Sequence, residues 1–169
     1  EISIPGRPPL QQRVLDVMAP DMRIAYLTQR ARIGEAKVSP LPALLKKEMD
    51  FERDFVKAGG LLIAGPDPTG YGGVVAGFGD QREVELLVEA GFTPVEAIQI
   101  ATYNGALYLG ELDRIGTLAL GKQADMVLIK GNPAKDIADI EKVETVFKDG
   151  IGYDSAKLIE AARGSVGIR

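Results

Sequence analysis

The sequence predicts an α/β chain that turns β-rich in its last third, and three observations predict it. An amphipathic helical pattern ends at Gly59-Gly60, and the short apolar run 61–64 follows and stops at Asp67 inside a Gly/Pro-rich loop. Parallel α/β proteins present a carboxylate in this way, at the C-terminal end of a strand buried on both faces. Two well-signalled helices come next. From Ile115 onward the texture changes to strand-like segments separated by glycine turns.

Taken in order, residues 1–9 are rich in Pro and Gly and read as a loop. Within 10–32, Leu10, Val14, Val17 and Met18 keep helical spacing, and Pro20 breaks it. Asp21 is placed to cap a second short helix holding Ile24, Leu27 and Ile33. After Ser39-Pro40-Leu41-Pro42, the residues Leu44, Leu45, Phe51, Phe55 and Val56 form the apolar stripe of a third helix. Residues 61–64 then read as a strand, the flanking glycines deciding against buried helix.

Beyond the loop 65–79, Asp80 is expected to cap a helix with Val84, Leu87 and Val88 on one face, ending at Gly91. Thr93-Pro94-Val95-Glu96 has the form of a capping box with proline in the first helical position, opening a helix that stops at Gly110. The segments 115–119, 126–130 and 143–148 read as strands. Asp149-Gly150 marks a hairpin turn, and 154–163 a terminal helix.

Composition excludes several classes. Of 169 residues, 46% are hydrophobic and 26% charged, as in ordinary globular domains. The net charge of −4, with no lysine or arginine run, argues against a nucleic-acid partner. No apolar run approaches the roughly 18 residues that span a bilayer. A soluble protein is expected, with its compartment open. The chain has no cysteine and no histidine, which rules out disulfides, thiolate ligands and imidazole chemistry.

Asp67 is the principal candidate for chemistry. Asp67-Pro68-Thr69-Gly70 fits a type I turn position by position, and a rigid turn also fixes a catalytic or metal-binding carboxylate, so both readings stand. The loop Gly70–Gly79 is rich enough in glycine to cradle an anion, to act as a lid or simply to connect. It matches neither the dinucleotide fingerprint nor the P-loop, and Gly121-Lys122 is followed by Gln123. Glu83, Glu85 and Glu89 are expected on solvated helix faces, a pairing of one of them with Asp67 being the alternative. Tyr71 and Tyr103 are expected in packing rather than substrate contact.

Several of these pieces occur together in a specific order: Gly65-Pro66-Asp67-Pro68-Thr69-Gly70, the run 82–98, Ala101-Thr102 with Asn104-Gly105-Ala106, Leu109-Gly110, Ile115-Gly116-Thr117, and 121–125. Over about residues 45–153 this resembles the C-terminal part of the metal-dependent amidohydrolase superfamily, in its imidazolonepropionase-like and prolidase-like branch. The resemblance implies the last strand and flanking helices of a (β/α)8 TIM-like barrel, followed by strands of a small β-sandwich. Residues 1–112 would belong to the barrel, 113–153 to the composite sandwich, and 154–169 to a terminal helix and tail. Asp67 would end the eighth barrel strand as metal ligand and as proton shuttle between a metal-bound water and the leaving group. The metal would be divalent, zinc in the full-length enzyme, with none expected in the isolated chain.

The departures are as informative. The family draws an H-x-H pair and later histidines from other strands, and this chain has none. Gly-Pro-Asp67 stands where Gly-Thr-Asp is usual, and Gly77-Phe78-Gly79-Asp80-Gln81 offers no substrate-binding histidine. A whole barrel takes about 250 residues. The expectation is therefore the last third of a hydrolase acting on C–N bonds in a small amide or dipeptide-like substrate. Its partner would be the N-terminal remainder of the same polypeptide, with homo-oligomers an open possibility. The isolated chain is expected to be inactive. A non-catalytic binding or assembly module on the same scaffold is the alternative. A third reading is an unrelated α/β enzyme using Asp67 with Glu83 or Glu85.

Overall fold

A computed structural model describes residues 4–36, 38–68 and 73–167. Helices α1 (Gln12–Val17) and α2 (Pro20–Gly34) meet at Pro20, which takes the first helical position, where its missing N–H costs nothing. Asp21 is thus not the cap expected of it. It lies in the first turn, where a carboxylate still suits the helix dipole, and α2 is 15 residues long rather than short. Val14, Leu15, Val17, Met18, Tyr26 and Val75 form one buried cluster. Tyr26 is essentially fully buried, and its hydroxyl accepts the Leu10 N–H at 2.7 Å. The C-terminal segment closes this cluster: Ile159 and Val166 pack on it, and the Val166 carbonyl accepts the Ala19 N–H at 2.8 Å.

The second cluster holds Val84, Leu87, Ala90, Phe92, Ala97 and Ile100. Helix α3 (Leu41–Lys57) rests on it only through Met49 and Val56. The predicted stripe therefore splits. Leu44, Phe51 and Phe55 face outward, with Phe51 70% exposed, because the stripe is wider than one neighbouring helix covers. Helix α4 (Phe78–Ala90) begins three residues earlier than expected. Gly77 is the N-cap residue, and Asp80, at the third helical position, accepts the Gly77 N–H at 2.9 Å.

Helix α5 (Pro94–Gln99) opens on the expected capping box and continues through a π-helical turn, Ile100–Asn104, into α6 (Gly105–Tyr108). The rod is continuous from Pro94, but its middle is wound one residue wider than an α-helix. Residues 115–119 form a bend and an irregular stretch rather than a strand, since Gly116 at φ 87° leaves the extended region.

Strands β1 (Met126–Ile129), β2 (Val143–Lys148) and β3 (Ile151–Asp154) form an antiparallel sheet in that order. Between β1 and β2, Met126 pairs with Phe147 and Leu128 with Thr145, and the register shifts before Ile129. Asp149 and Gly150 both take positive φ, as a two-residue type I′ hairpin turn requires. Helix α7 (Ser155–Ala161) follows, with Asp154 accepting the Lys157 N–H at 3.0 Å. The β-rich part is a sheet of its own and not an extension of a parallel one.

The strand expected over 61–64 is absent. Among the described residues no strand lies beside this segment to exchange hydrogen bonds with it, and a strand exists only through such bonds. Its side chains nevertheless alternate as a strand's do. Leu62 and Ala64 pack on the second cluster, while Leu61 and Ile63 stand out, 41% and 40% exposed.

Candidate active site around Asp67

The segment leading to Asp67 is held by two side chains from two helices. Asn104, in the π-helical turn, donates from Nδ2 to the Leu62 carbonyl at 2.7 Å. Glu83, on α4, accepts the Gly65 N–H at 3.1 Å on Oε1. Between these bonds the apolar anchors Leu62 and Ala64 point into the core. A segment without ladder partners thereby has backbone groups of both kinds satisfied by side chains.

Asp67 itself is exposed, on the lip of a groove of about 650 Å³. The groove is walled by Glu48 and Glu52 of α3, by Arg82 and Glu83 of α4, and by Arg13 of α1. Burial first, and then the negative charges of Glu48 and Glu83, hold the Glu52 carboxyl above the usual range. Arg13 stands over the Phe78 ring, 5.3 Å from its centroid, and pairs with Glu141 at 3.1 Å. The groove thus joins a carboxylate-rich wall to a cationic one.

The other acidic candidates have structural partners. Glu85 pairs with Arg82 at 2.5 Å and is only 13% exposed, not on a solvated face as expected. Glu89 is bound by Arg7 and, at 3.5 Å, by Arg82, and the Arg7 hydrogen bond keeps its carboxyl below the usual range. Glu83 is occupied with Gly65. Tyr103 is half-buried, and its Cα lies 3.5 Å from where a Cβ on Gly116 would stand. Tyr71 and Gly70, with the start of the glycine loop, lie outside the described residues. The later part of that loop serves the helix it precedes, because Val75 is buried in the first cluster and Asp80 takes the Gly77 N–H.

The donor set does not make a metal centre by itself. Among the described residues no three Asp or Glu side chains converge on a common point, and the sequence supplies no imidazole or thiolate. Asp67 is one oxygen donor, where tetrahedral zinc sites draw on three or four ligands. Sequence reasoning missed the roles of Asn104 and Glu83. The signal for Asn104 was present, as an amide two positions after Thr102 in a helix whose neighbours Ile100 and Ala106 are buried.

Residues 71–151 match the Amidohydrolase family. Adenine deaminase 1 of Carboxydothermus hydrogenoformans is 45% identical over 67 residues, covering 40% of this chain and 10% of that protein. An imidazolonepropionase of Parabacteroides distasonis is 39% identical over 64 residues, covering 36% of this chain and 15% of that protein. Among solved structures, a Xaa-Pro dipeptidase with bound methionine in its active site superposes with a TM-score of 0.54 and 26% identity, over 79% of this chain and 28% of that one. The chain therefore spans between a tenth and about a quarter of the length of these relatives. Asp67 precedes the matched stretch by four residues, while Asn104, Gly116 and the three-stranded sheet up to Ile151 fall within it. Over these residues the chain is similar to the amidohydrolase family, and the imidazolonepropionase and dipeptidase matches point to its imidazolonepropionase- and prolidase-like branch.

Proposed function

We propose that this chain is the C-terminal portion of an enzyme that hydrolyses C–N bonds in a small amide or dipeptide-like substrate, and that Asp67 is its contribution to the active centre. The observation that carries the reading is the exposed carboxylate at the end of a segment with strand-like alternation, clipped by two helices at the lip of a groove. Barrel enzymes place their reacting groups at such strand ends. Relatives named as a deaminase and a dipeptidase act on C–N bonds, which supports the reaction class.

In this reading residues 1–112 complete a barrel, 113–153 contribute to a composite sandwich, and 154–169 form the terminal helix and tail. The amidohydrolase family is generally metal-dependent. A divalent ion, when bound, supplies an acidified water. Since Asp67 is a single donor, the other ligands come from the N-terminal remainder of the polypeptide. The outward stripe of Leu44, Phe51 and Phe55, with Leu61 and Ile63, is the surface that remainder covers. Asp67 would be one ligand of that ion, its carboxylate would take a proton from the attacking water and pass it to the departing nitrogen, and the 169 residues alone are expected to be inactive.

The test is hydrolysis by the complete polypeptide of adenine, imidazolonepropionate and an Xaa-Pro dipeptide, with and without Asp67→Asn. A turnover loss of about a thousandfold or more, with KM little changed, is the expected result. Undiminished turnover overturns the assignment. The incomplete donor set favours a second reading, a binding or assembly module on the same scaffold, in which no substrate turns over and the exposed stripe binds another chain or a second copy.

A further inference from the structure

We infer that Asn104 is a positioning residue for Asp67, acting through the Leu62 carbonyl; this rests on the reading of Asp67 as the reacting carboxylate. A rod from Pro94 to Tyr108 of uniform α geometry would need no widened turn, yet Ile100–Asn104 is π-helical. A π turn admits one extra residue and rotates the following side chains about the axis by the angle that residue occupies. Asn104 is the last residue of that turn, and its side chain reaches across 42 positions of sequence to the segment carrying Asp67. The turn also frees helix carbonyls from their usual donors, and the Thr102 hydroxyl donates to that of Ile98 at 2.7 Å.

The bond has a defined mechanical effect. Residues 61–68 have no ladder among the described residues, so within this chain their position along the chain direction is set by side chains, before any neighbouring strand of a completed barrel adds to it. Leu62 and Ala64 fix depth and exclude a one-residue slip, which would turn them outward, but they set position along the chain less finely than a directional bond does. The Asn104 amide, bonded to one chosen carbonyl five residues before Asp67, fixes register. An error of about 1 Å in the placement of a reacting group can cost roughly a hundredfold in rate, so register control of this kind bears directly on turnover.

The test uses Asn104→Asp, which keeps the size and removes the amide donor, and Asn104→Gln, which keeps the donor one carbon further out. In the complete polypeptide, hydrolysis of the substrate that wild type turns over is expected to fall about tenfold in kcat with Asn104→Asp, with KM within about twofold, and Asn104→Gln recovers part of the loss. In the 169-residue chain, ¹³C-carboxyl and amide NMR of the Asp variant is expected to show moved Gly65 and Asp67 signals, with the Thr93 and Phe147 amides in place. Unmoved Asp67 signals, or an unchanged kcat while Asp67→Asn is inactive, overturn the inference. Full activity of Asp67→Asn instead overturns the underlying reading.

Discussion

Glu83 and Gly65 are joined by a hydrogen bond of 3.1 Å, from the Gly65 N–H to Glu83 Oε1, which ties the first turns of α4 to the backbone two residues before Asp67. The same carboxylate also presses on its neighbour across the groove, because its charge helps hold Glu52 above the usual carboxyl range. One side chain therefore serves geometry with an oxygen and electrostatics with a charge. The two can be separated by substitution.

Glu83→Gln keeps an acceptor and removes the charge, while Glu83→Leu removes both. We expect the Leu variant to lose about 1 kcal/mol of stability, within the ordinary range for one hydrogen bond, with faster amide exchange at Gly65. The Gln variant is expected to retain most of that stability and protection. In both, the Glu52 titration moves down toward the ordinary range, while burial and Glu48 still hold it above. Urea unfolding and carboxyl NMR titration check the two effects separately. An unmoved Glu52 would show that burial and Glu48 set its environment without Glu83.

How much of this was legible in the sequence depends on whether a signal was local. Thr93 through Glu96 and Asp149-Gly150 announced themselves because a capping box and a type I′ turn are set by three or four adjacent residues. Asp67 could be singled out because an apolar run ended on it, and the family could be recognised from the order of its short motifs. The strand over 61–64 could not be verified from its own residues, since its existence depends on neighbours. The Asn104 and Glu83 clips were hidden for the same reason: 42 and 18 residues separate them from their partners, and no periodicity encodes such pairings. Gly77 displaced Asp80 as the cap because the carboxylate reaches back one turn as readily as it caps its own.

Gly116, in the motif Ile115-Gly116-Thr117, offers a sharper test of packing. Its φ is 87°, and a Cβ built there would lie 2.5 Å from the Ala106 methyl, which is buried on the helical rod. Gly121 has nearly the same φ, 84°, with nothing near its missing Cβ. Gly121→Ala therefore carries backbone strain alone, about 1 kcal/mol, whereas Gly116→Ala carries that strain and a collision with a side chain unable to rotate away. We expect Gly116→Ala to be destabilised by about 2 kcal/mol more than Gly121→Ala in urea unfolding. Equal losses would mean that the turn does not pack on the rod.

The capping box at the start of α5 carries a pH signature. The Thr93 hydroxyl accepts the Glu96 N–H at 3.3 Å, while Glu96 Oε2 accepts the Thr93 N–H at 2.7 Å and lies 2.8 Å from the Thr93 hydroxyl oxygen. The backbone bond first, and then the hydroxyl, hold the Glu96 carboxyl below its usual range. A carboxyl depressed in the folded state adds stability above its unfolded pKa and loses it as pH falls through the folded value. Thr93→Ala is expected to cost about 1 kcal/mol near neutral pH, as N-cap losses do. Glu96→Gln keeps an acceptor for the Thr93 N–H but does not titrate. Its deficit relative to wild type should therefore be present near pH 7 and shrink as pH falls below the ordinary Glu pKa of about 4.3. Because Glu96 is solvated, the deficit should also be modest and reduced by salt. Thermal unfolding of both proteins between neutral and acidic pH decides it: a deficit independent of pH would assign the bond to neutral hydrogen bonding, with no contribution from the carboxylate charge.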